Sequence, residues 1–208
     1  MTQFNSMIFN IPEDLDEAVG PGKGYPRGKL EVISGPMFAG KSSELLKRLL
    51  FLEHSGKNVL ALKPCIDDRY DAKSIVTHNH LRHDALAVID LELVKDNYTI
   101  MPYNFHTIFI DEVQFFDAKE TVWFVEEILR NGVNVVAAGL DQDSRGVPFE
   151  TTARLLALSD EILKIRAFCS ICGKDASKTQ RLSRNKSRVA VGGSEDYEPR
   201  CHEHWEPK

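Results

Sequence analysis

The residues Gly35-Pro36-Met37-Phe38-Ala39-Gly40-Lys41-Ser42 carry the spacing G-x-x-x-x-G-K-[ST]. Glycines at these places let a backbone loop wrap phosphate oxygens, with successive N–H groups and a helix N-terminus facing the anion. Lys41 is placed to reach the β- and γ-phosphates, and the Ser42 hydroxyl to help hold Mg²⁺. A second pair, Asp111-Glu112, follows the apolar run Thr107-Ile108-Phe109-Ile110. An acid at the end of a buried strand is where phosphate-loop proteins hold Mg²⁺, directly or through water. Two adjacent carboxylates invite two roles: Asp111 serves the metal, and Glu112 acts as general base on whatever attacks the γ-phosphate. A water attacker makes an ATPase; a substrate hydroxyl makes a kinase.

A third constellation lies in the tail. Cys169-x-x-Cys172 is followed by Cys201-x-x-His204, two short spacings that each clamp one side of a tetrahedral Zn²⁺. The spacing favours His204 over His202 as the fourth ligand. With no open position in the set, the ion is expected to be structural. Cys65, alone after Lys63-Pro64, reads as an ordinary buried or half-buried thiol. Between the cysteine pairs, Lys178, Arg181, Arg184, Lys186 and Arg188 occur without an intervening acid, and the glycine-containing run 189–193 leads to Tyr197. Two readings stay open for this loop. It is a solvated basic turn followed by a short strand, or a zinc-pinned lid with Tyr197 as a stacking face over a small ligand.

These groups need a scaffold that brings them together. Apolar runs alternate with helical patterns from Lys29 to about Ala167. Strands are expected at 30–34, 58–63, 85–89, 107–111, 134–138 and 162–166, and helices at 41–55, 118–131 and 148–159. Leu45, Leu49 and Leu52 repeat at helical spacing, as do Leu46 and Leu50, and Gly56 stops that helix. Val59-Leu60-Ala61-Leu62 and Ile108-Phe109-Ile110 are continuously apolar, as strands covered by helices on both faces must be. The expected fold is therefore α/β: a phosphate-loop parallel sheet flanked by helices (29–167), with a small zinc-binding domain at 168–208. In such sheets ligands bind outside the carboxyl ends of the strands, so both acidic and glycine-rich motifs converge on one crevice. Residues 1–28, acidic and then Gly/Pro-rich, read as an accessory arm and linker.

Composition narrows the function. A chain of 208 residues that is 42% hydrophobic and 27% charged is globular. No apolar run is long enough to span a bilayer, and the first ten residues lack a secretory signal's pattern, so a cytoplasmic protein with no membrane partner is expected. A net charge of −5 argues against a dedicated nucleic-acid binder, while leaving nucleotides open.

The combined motifs resemble the cellular (type II) thymidine kinases. The matching pieces are 35–45, Asp67-Asp68-Arg69-Tyr70, Asp111-Glu112-Val113-Gln114-Phe115-Phe116 and Gly139-Leu140-Asp141-Gln142-Asp143. They continue with the Cys169/Cys172 pair, Thr179-Gln180-Arg181 and Tyr197-Glu198-Pro199-Arg200-Cys201. The resemblance implies transfer of the ATP γ-phosphate to the 5′-hydroxyl of thymidine with Mg²⁺, and a glutamate base at Glu112. It places Gly35, Gly40, Lys41, Ser42, Ser43, Asp111 and Arg69 around ATP and Mg²⁺. It puts Met37 against the thymine methyl and Phe115 and Leu140 in the base pocket. Thr179 and the main chain around Val191 and Gly192 read the base edge, and Tyr197 covers the ring. It further implies a homotetramer and inhibition by dTTP. The chain departs from the family in three places. Ser144 stands where a Phe is frequent, the loop at 182–189 is short, and the N-terminal arm is long, with Met7 a candidate internal start. A P-loop ATPase of a nucleic-acid-associated machine and a zinc-ribbon module binding nucleic acid through 178–188 are the competing readings.

Overall fold

A computed structural model describes residues 26–65, 74–76, 82–91, 94, 104–183 and 193–207. The expected arm at 1–25 lies outside them, as do Arg69, the 184–190 loop, Val191 and Gly192. At the end of the expected arm Gly28 is buried, and its N–H donates to the Leu129 carbonyl at 2.9 Å. A Cβ at Gly28 would stand 2.0 Å from the Val133 carbonyl oxygen, so only glycine lets this strap approach.

Six parallel strands form the main sheet: β1 (Leu30–Gly35), β2 (Val59–Pro64), β5 (Leu86–Val88), β6 (Thr107–Ile110), β7 (Asn134–Leu140) and β8 (Glu161–Lys164), in the order β5-β2-β6-β7-β1-β8. They correspond to the six apolar runs, with ends shifted by a residue or two. β7 runs on to Leu140, two residues beyond the expectation, because Ser34 and Gly35 of β1 give it partners in Gly139 and Leu140.

Alternation of side chains along each strand divides the core into two layers. Ile33, Ala61, Phe109, Val136 and Ala138 pack against Leu45, Leu46 and Leu49 of helix α1 (Lys41–His54). On the other face Leu30, Val32, Ile108, Ile110, Val135 and Ala137 meet Phe124, Val125, Ile128 and Leu129 of α2 (Ala118–Arg130) and Leu155 of α3 (Glu150–Leu158). Each helix has a local reason for its bounds. Gly56, at φ 73°, ends the α1 turn in a left-handed conformation. α2 begins after Asp117, whose carboxylate accepts from the Lys119 and Glu120 N–H groups at 2.8 and 3.1 Å. Among the described residues, three helices over two faces cover the continuously apolar strands, as expected of a covered parallel sheet.

The short pairs are β3 (Ser74–Val76) with β4 (Arg82–Asp84), β9 (Ala167–Phe168) with β10 (Asp175–Ala176), and β11 (Lys178–Arg181) with β12 (Tyr197–Arg200), all antiparallel. No sequence period announced them, because two- to four-residue strands are too short to show one. Lys178 and Arg181 consequently lie in β11, not in a basic turn. Cys65 is exposed, a correction to the expected buried thiol: its N–H continues the β2–β5 ladder through the Val88 carbonyl, but its side chain lies past the edge of the core.

Phe109 is fully buried between the central strands and α1. Phe109→Ala is expected to lower unfolding free energy by about 3–5 kcal/mol, read from urea unfolding curves at unchanged m-value.

Candidate functional site

Strand order β6-β7-β1 puts the ends of β6 and β1 one strand apart on the same edge of the sheet. From β1 the chain turns at once through 36–40 into α1. Gly35 is required by space, since a Cβ there would lie 2.3 Å from the Ile165 carbonyl oxygen. Gly40 is required by conformation, being left-handed at φ 85° immediately before α1. Lys41 is buried and its Nζ donates to the Pro36 carbonyl at 2.8 Å, so the ammonium lies back over the loop it belongs to. Ser42 and Ser43 follow in the first turn of α1, half-buried.

Asp111 stands at the end of β6, buried, with the Ser42 hydroxyl near enough to favour its charged form. Burial, reinforced by the neighbouring Glu112 carboxylate, pushes the Asp111 carboxyl up to about 7. The Ser42 hydroxyl, the Glu112 N–H and Lys41 pull the other way. Glu112 is half-buried and left-handed, at φ 49°, and leads into the single 3₁₀ turn Val113–Phe115. Among the described residues, only Glu112 and Phe38 of the phosphate loop combine a side chain with positive φ. Such backbone strain costs about 1–3 kcal/mol per residue and concentrates where a site needs a fixed aim.

The tail meets this edge directly. The Met37 N–H donates to the Thr179 hydroxyl at 3.0 Å, and Ala39 packs on Ala167, Cys169, Ala176 and Cys201. Lys178 donates to Gln142 at 2.6 Å and its ammonium lies 4.7 Å from the Trp205 ring centre. The Trp205 indole donates to the Ser144 carbonyl at 3.2 Å, and a Cβ on Gly146 would come within 2.8 Å of its ring. The turn carrying Ser144 is thus covered by an aromatic from the C-terminal segment. Tyr197 is buried; Arg181 donates to its hydroxyl at 2.7 Å and stacks 5.2 Å from its ring centre. Phe115 and Leu140 are half-buried, the latter at the end of β7 beside the loop. The structure therefore gathers Gly35, Met37, Gly40, Lys41, Ser42 and Asp111 around one edge, with Thr179 bonded to it. Gln114 and Lys63 were not singled out in the sequence, yet both are buried at this edge. The signal for Gln114 was a polar residue inside the apolar run 113–116.

Cys169, Cys172, Cys201 and His204 converge, with their donor atoms all within 4.8 Å of one another. The Cys172 and Cys201 sulfurs are 3.8 Å apart, and His204 Nδ1 is 3.3 Å from Cys201 Sγ and 3.6 Å from Cys169 Sγ. Zinc bonds of about 2.3 Å to sulfur and about 2.0–2.1 Å to nitrogen, along tetrahedral directions, put neighbouring ligand atoms about 3.5–3.8 Å apart. Three thiols and an imidazole at these separations could hold zinc; His202 is exposed and is not one of the four. Burial pushes the Cys169 thiol up, but backbone N–H groups of Cys201, Cys172 and Ile171, with the His204 ring, overcome it and hold the thiol at about 5. Arg200 donates to the His204 carbonyl at 3.2 Å and fixes that turn.

The architecture is that of a phosphate-loop α/β protein with a Cys₃His cluster in its C-terminal segment that could hold a metal. A family model described as thymidine kinase matches residues 28–205. The chain belongs to the thymidine kinase family, which supports kinase chemistry in general terms. No described helix is long and apolar enough to cross a membrane.

Two outcomes are expected here. In the metal- and nucleotide-free protein, folded Asp111 keeps a proton that the unfolded chain loses near its ordinary value of 3.8. Its contribution to stability is therefore full below about pH 4 and is lost as pH rises through about 7. The urea midpoint should fall more between pH 5 and 8 in the wild type than in Asp111→Asn. Cys201→Ser should drop bound zinc, measured by atomic absorption, from about one per chain toward zero, with earlier proteolysis of the tail.

Proposed function

We propose that this protein transfers the γ-phosphate of ATP to the 5′-hydroxyl of thymidine, giving dTMP. The observation that carries the reading is the Met37–Thr179 hydrogen bond: it holds the tail against the phosphate loop, so that one loop serves donor and acceptor. The loop backbone, Gly35, Gly40, Ser43 and Lys41 bind the phosphates, and the Lys41 ammonium neutralises charge as the phosphoryl group moves. Ser42 and Asp111 fit Mg²⁺, since a hydroxyl and a buried carboxylate, both hard oxygen ligands, stand close together there. When bound, Mg²⁺ supplies charge neutralisation on the phosphate oxygens.

Glu112 takes the proton of the 5′-hydroxyl as its oxygen attacks phosphorus; the bond from the γ-phosphorus to the bridging oxygen breaks and ADP leaves. Phe115 and Leu140 bound the base, Met37 meets the thymine methyl, Thr179 with the main chain around Val191 and Gly192 reads the base edge, and Tyr197 closes over the ring. Arg69 contacts the phosphates. Zn²⁺ on the four tail ligands is structural. The division into 1–28, 29–167 and 168–208 and a cytoplasmic location, both read from the sequence pattern, and a homotetramer inhibited by dTTP, in keeping with the family resemblance, complete the reading.

A coupled assay with ATP and Mg²⁺ across the common nucleosides tests it. Thymidine should be the best acceptor and deoxyuridine a weaker one, because one methyl is worth about 1–3 kcal/mol. Hydrolysis of ATP that ignores thymidine would instead favour an ATPase. Glu112→Gln should bind thymidine normally and lose about 10²-fold or more in kcat, and Lys41→Ala should abolish transfer. A near-normal kcat for Glu112→Gln would remove it as the base.

A further inference from the structure

Gln114 is buried in the 3₁₀ turn after Glu112, and both ends of its amide are engaged. Its Oε1 accepts from the Leu140 backbone N–H at 3.0 Å, and its Nε2 donates to Glu112 Oε2 at 2.6 Å. The first bond decides the second. A backbone N–H can only donate, so the amide oxygen must face β7 and the NH₂ must face the carboxylate. An NH₂ can only donate, so the Glu112 oxygen it meets must accept, which the ionised form does best.

The approach of β7 is itself arranged for this contact. A Cβ on Gly139 would meet Gln114 Oε1 at 2.7 Å, Val113 Cγ1 at 2.8 Å and Thr152 Oγ1 at 3.3 Å. The bare Gly139 backbone is therefore what admits the amide between β7 and the carboxylate. Glu112 is held left-handed on the same turn, whose Phe115 N–H closes back on the Glu112 carbonyl at 3.1 Å. The amide restrains the one freedom the turn leaves, rotation of the carboxylate.

We propose that Gln114 is a positioning residue for phosphoryl transfer: it aims the Glu112 carboxylate and ties it to the Leu140 wall of the acceptor pocket. This rests on the reading of Glu112 as base. The charged neighbours among the described residues are Asp111 on the same strand end and Lys41 from α1, which lies within electrostatic reach of Asp111. From β7, Asp141 is paired with Lys164 at 2.8 Å.

Two substitutions separate positioning from packing. Gln114→Met fills similar space with neither hydrogen bond. Gln114→Glu keeps an acceptor for the Leu140 N–H but sets an oxygen against Glu112. With thermal unfolding midpoints measured alongside, Gln114→Met should lose roughly tenfold in kcat while KM for thymidine and ATP stays within about threefold. Gln114→Glu should lose at least as much in kcat, again with both KM values within about threefold. If Gln114→Met does not fold, the kcat and KM values of Gln114→Glu decide.

Wild-type kcat in a folded variant would overturn the proposal, as would a loss carried by KM with kcat unchanged. Glu112→Gln distinguishes the two readings. If it is slow while the Gln114 variants are normal, positioning by Gln114 fails and the base stands. If it is near normal, the base reading fails and this proposal falls with it.

Discussion

Parallel pairing of β6, β7 and β1 is the constraint on which the site depends. Three adjacent strands running the same way end on the same edge, with Ile110 beside Ala137 and Gly35 beside Leu140. Whatever follows each strand is therefore delivered to one crevice. The phosphate loop follows β1, the two carboxylates follow β6, and the Leu140–Asp143 turn follows β7. Slip the register by one residue and the alternation that buries Ile108 and Phe109 on opposite faces is lost with it. The core and the chemistry are held by the same ladder.

That edge concentrates the unfavourable features of the molecule. A buried carboxylate sits beside a second one, Lys41 lies buried against its own loop, and the two non-glycine left-handed residues of the described chain are both there. Desolvation and the neighbouring Glu112 carboxylate raise the cost of charge on Asp111, a cost that a divalent cation beside it would relieve. The remainder of the sheet is conventional, with dry aliphatic layers on both faces. Strain is confined to the place where geometry matters for reaction, and well-packed strands on either side hold it there.

The tail follows another rule. Among the described residues of the tail, the apolar cluster is small: Ala167, Cys169, Ala176 and Cys201 with Ala39 against them. Two- to four-residue strands cannot hold themselves, so side-chain bonds take over: four convergent metal-type ligands, Arg181 on Tyr197, Lys178 on Trp205, and Gln180 with Glu206. Several of these partners lie far apart in sequence. Thr179 and Trp205 then attach the segment to the phosphate loop and to the turn after β7.

Sequence by itself determined the elements of the sheet, the phosphate loop, the acidic pair and the Cys₃His set. Each is a local pattern: apolar runs and helical repeats report burial, glycines report tight turns, and C-x-x-C with C-x-x-H reports ligand spacing. Only the tertiary structure decided strand order, the Met37–Thr179 bond across 142 residues, and the exposure of Cys65. It also decided the role of Gln114, which in sequence is an ordinary polar residue in an apolar run. Its meaning comes from Leu140 and Gly139, about 25 residues away and brought alongside only by the parallel ladder. A hydrogen bond between distant segments leaves no periodic trace in either one, because each needs only a single compatible residue.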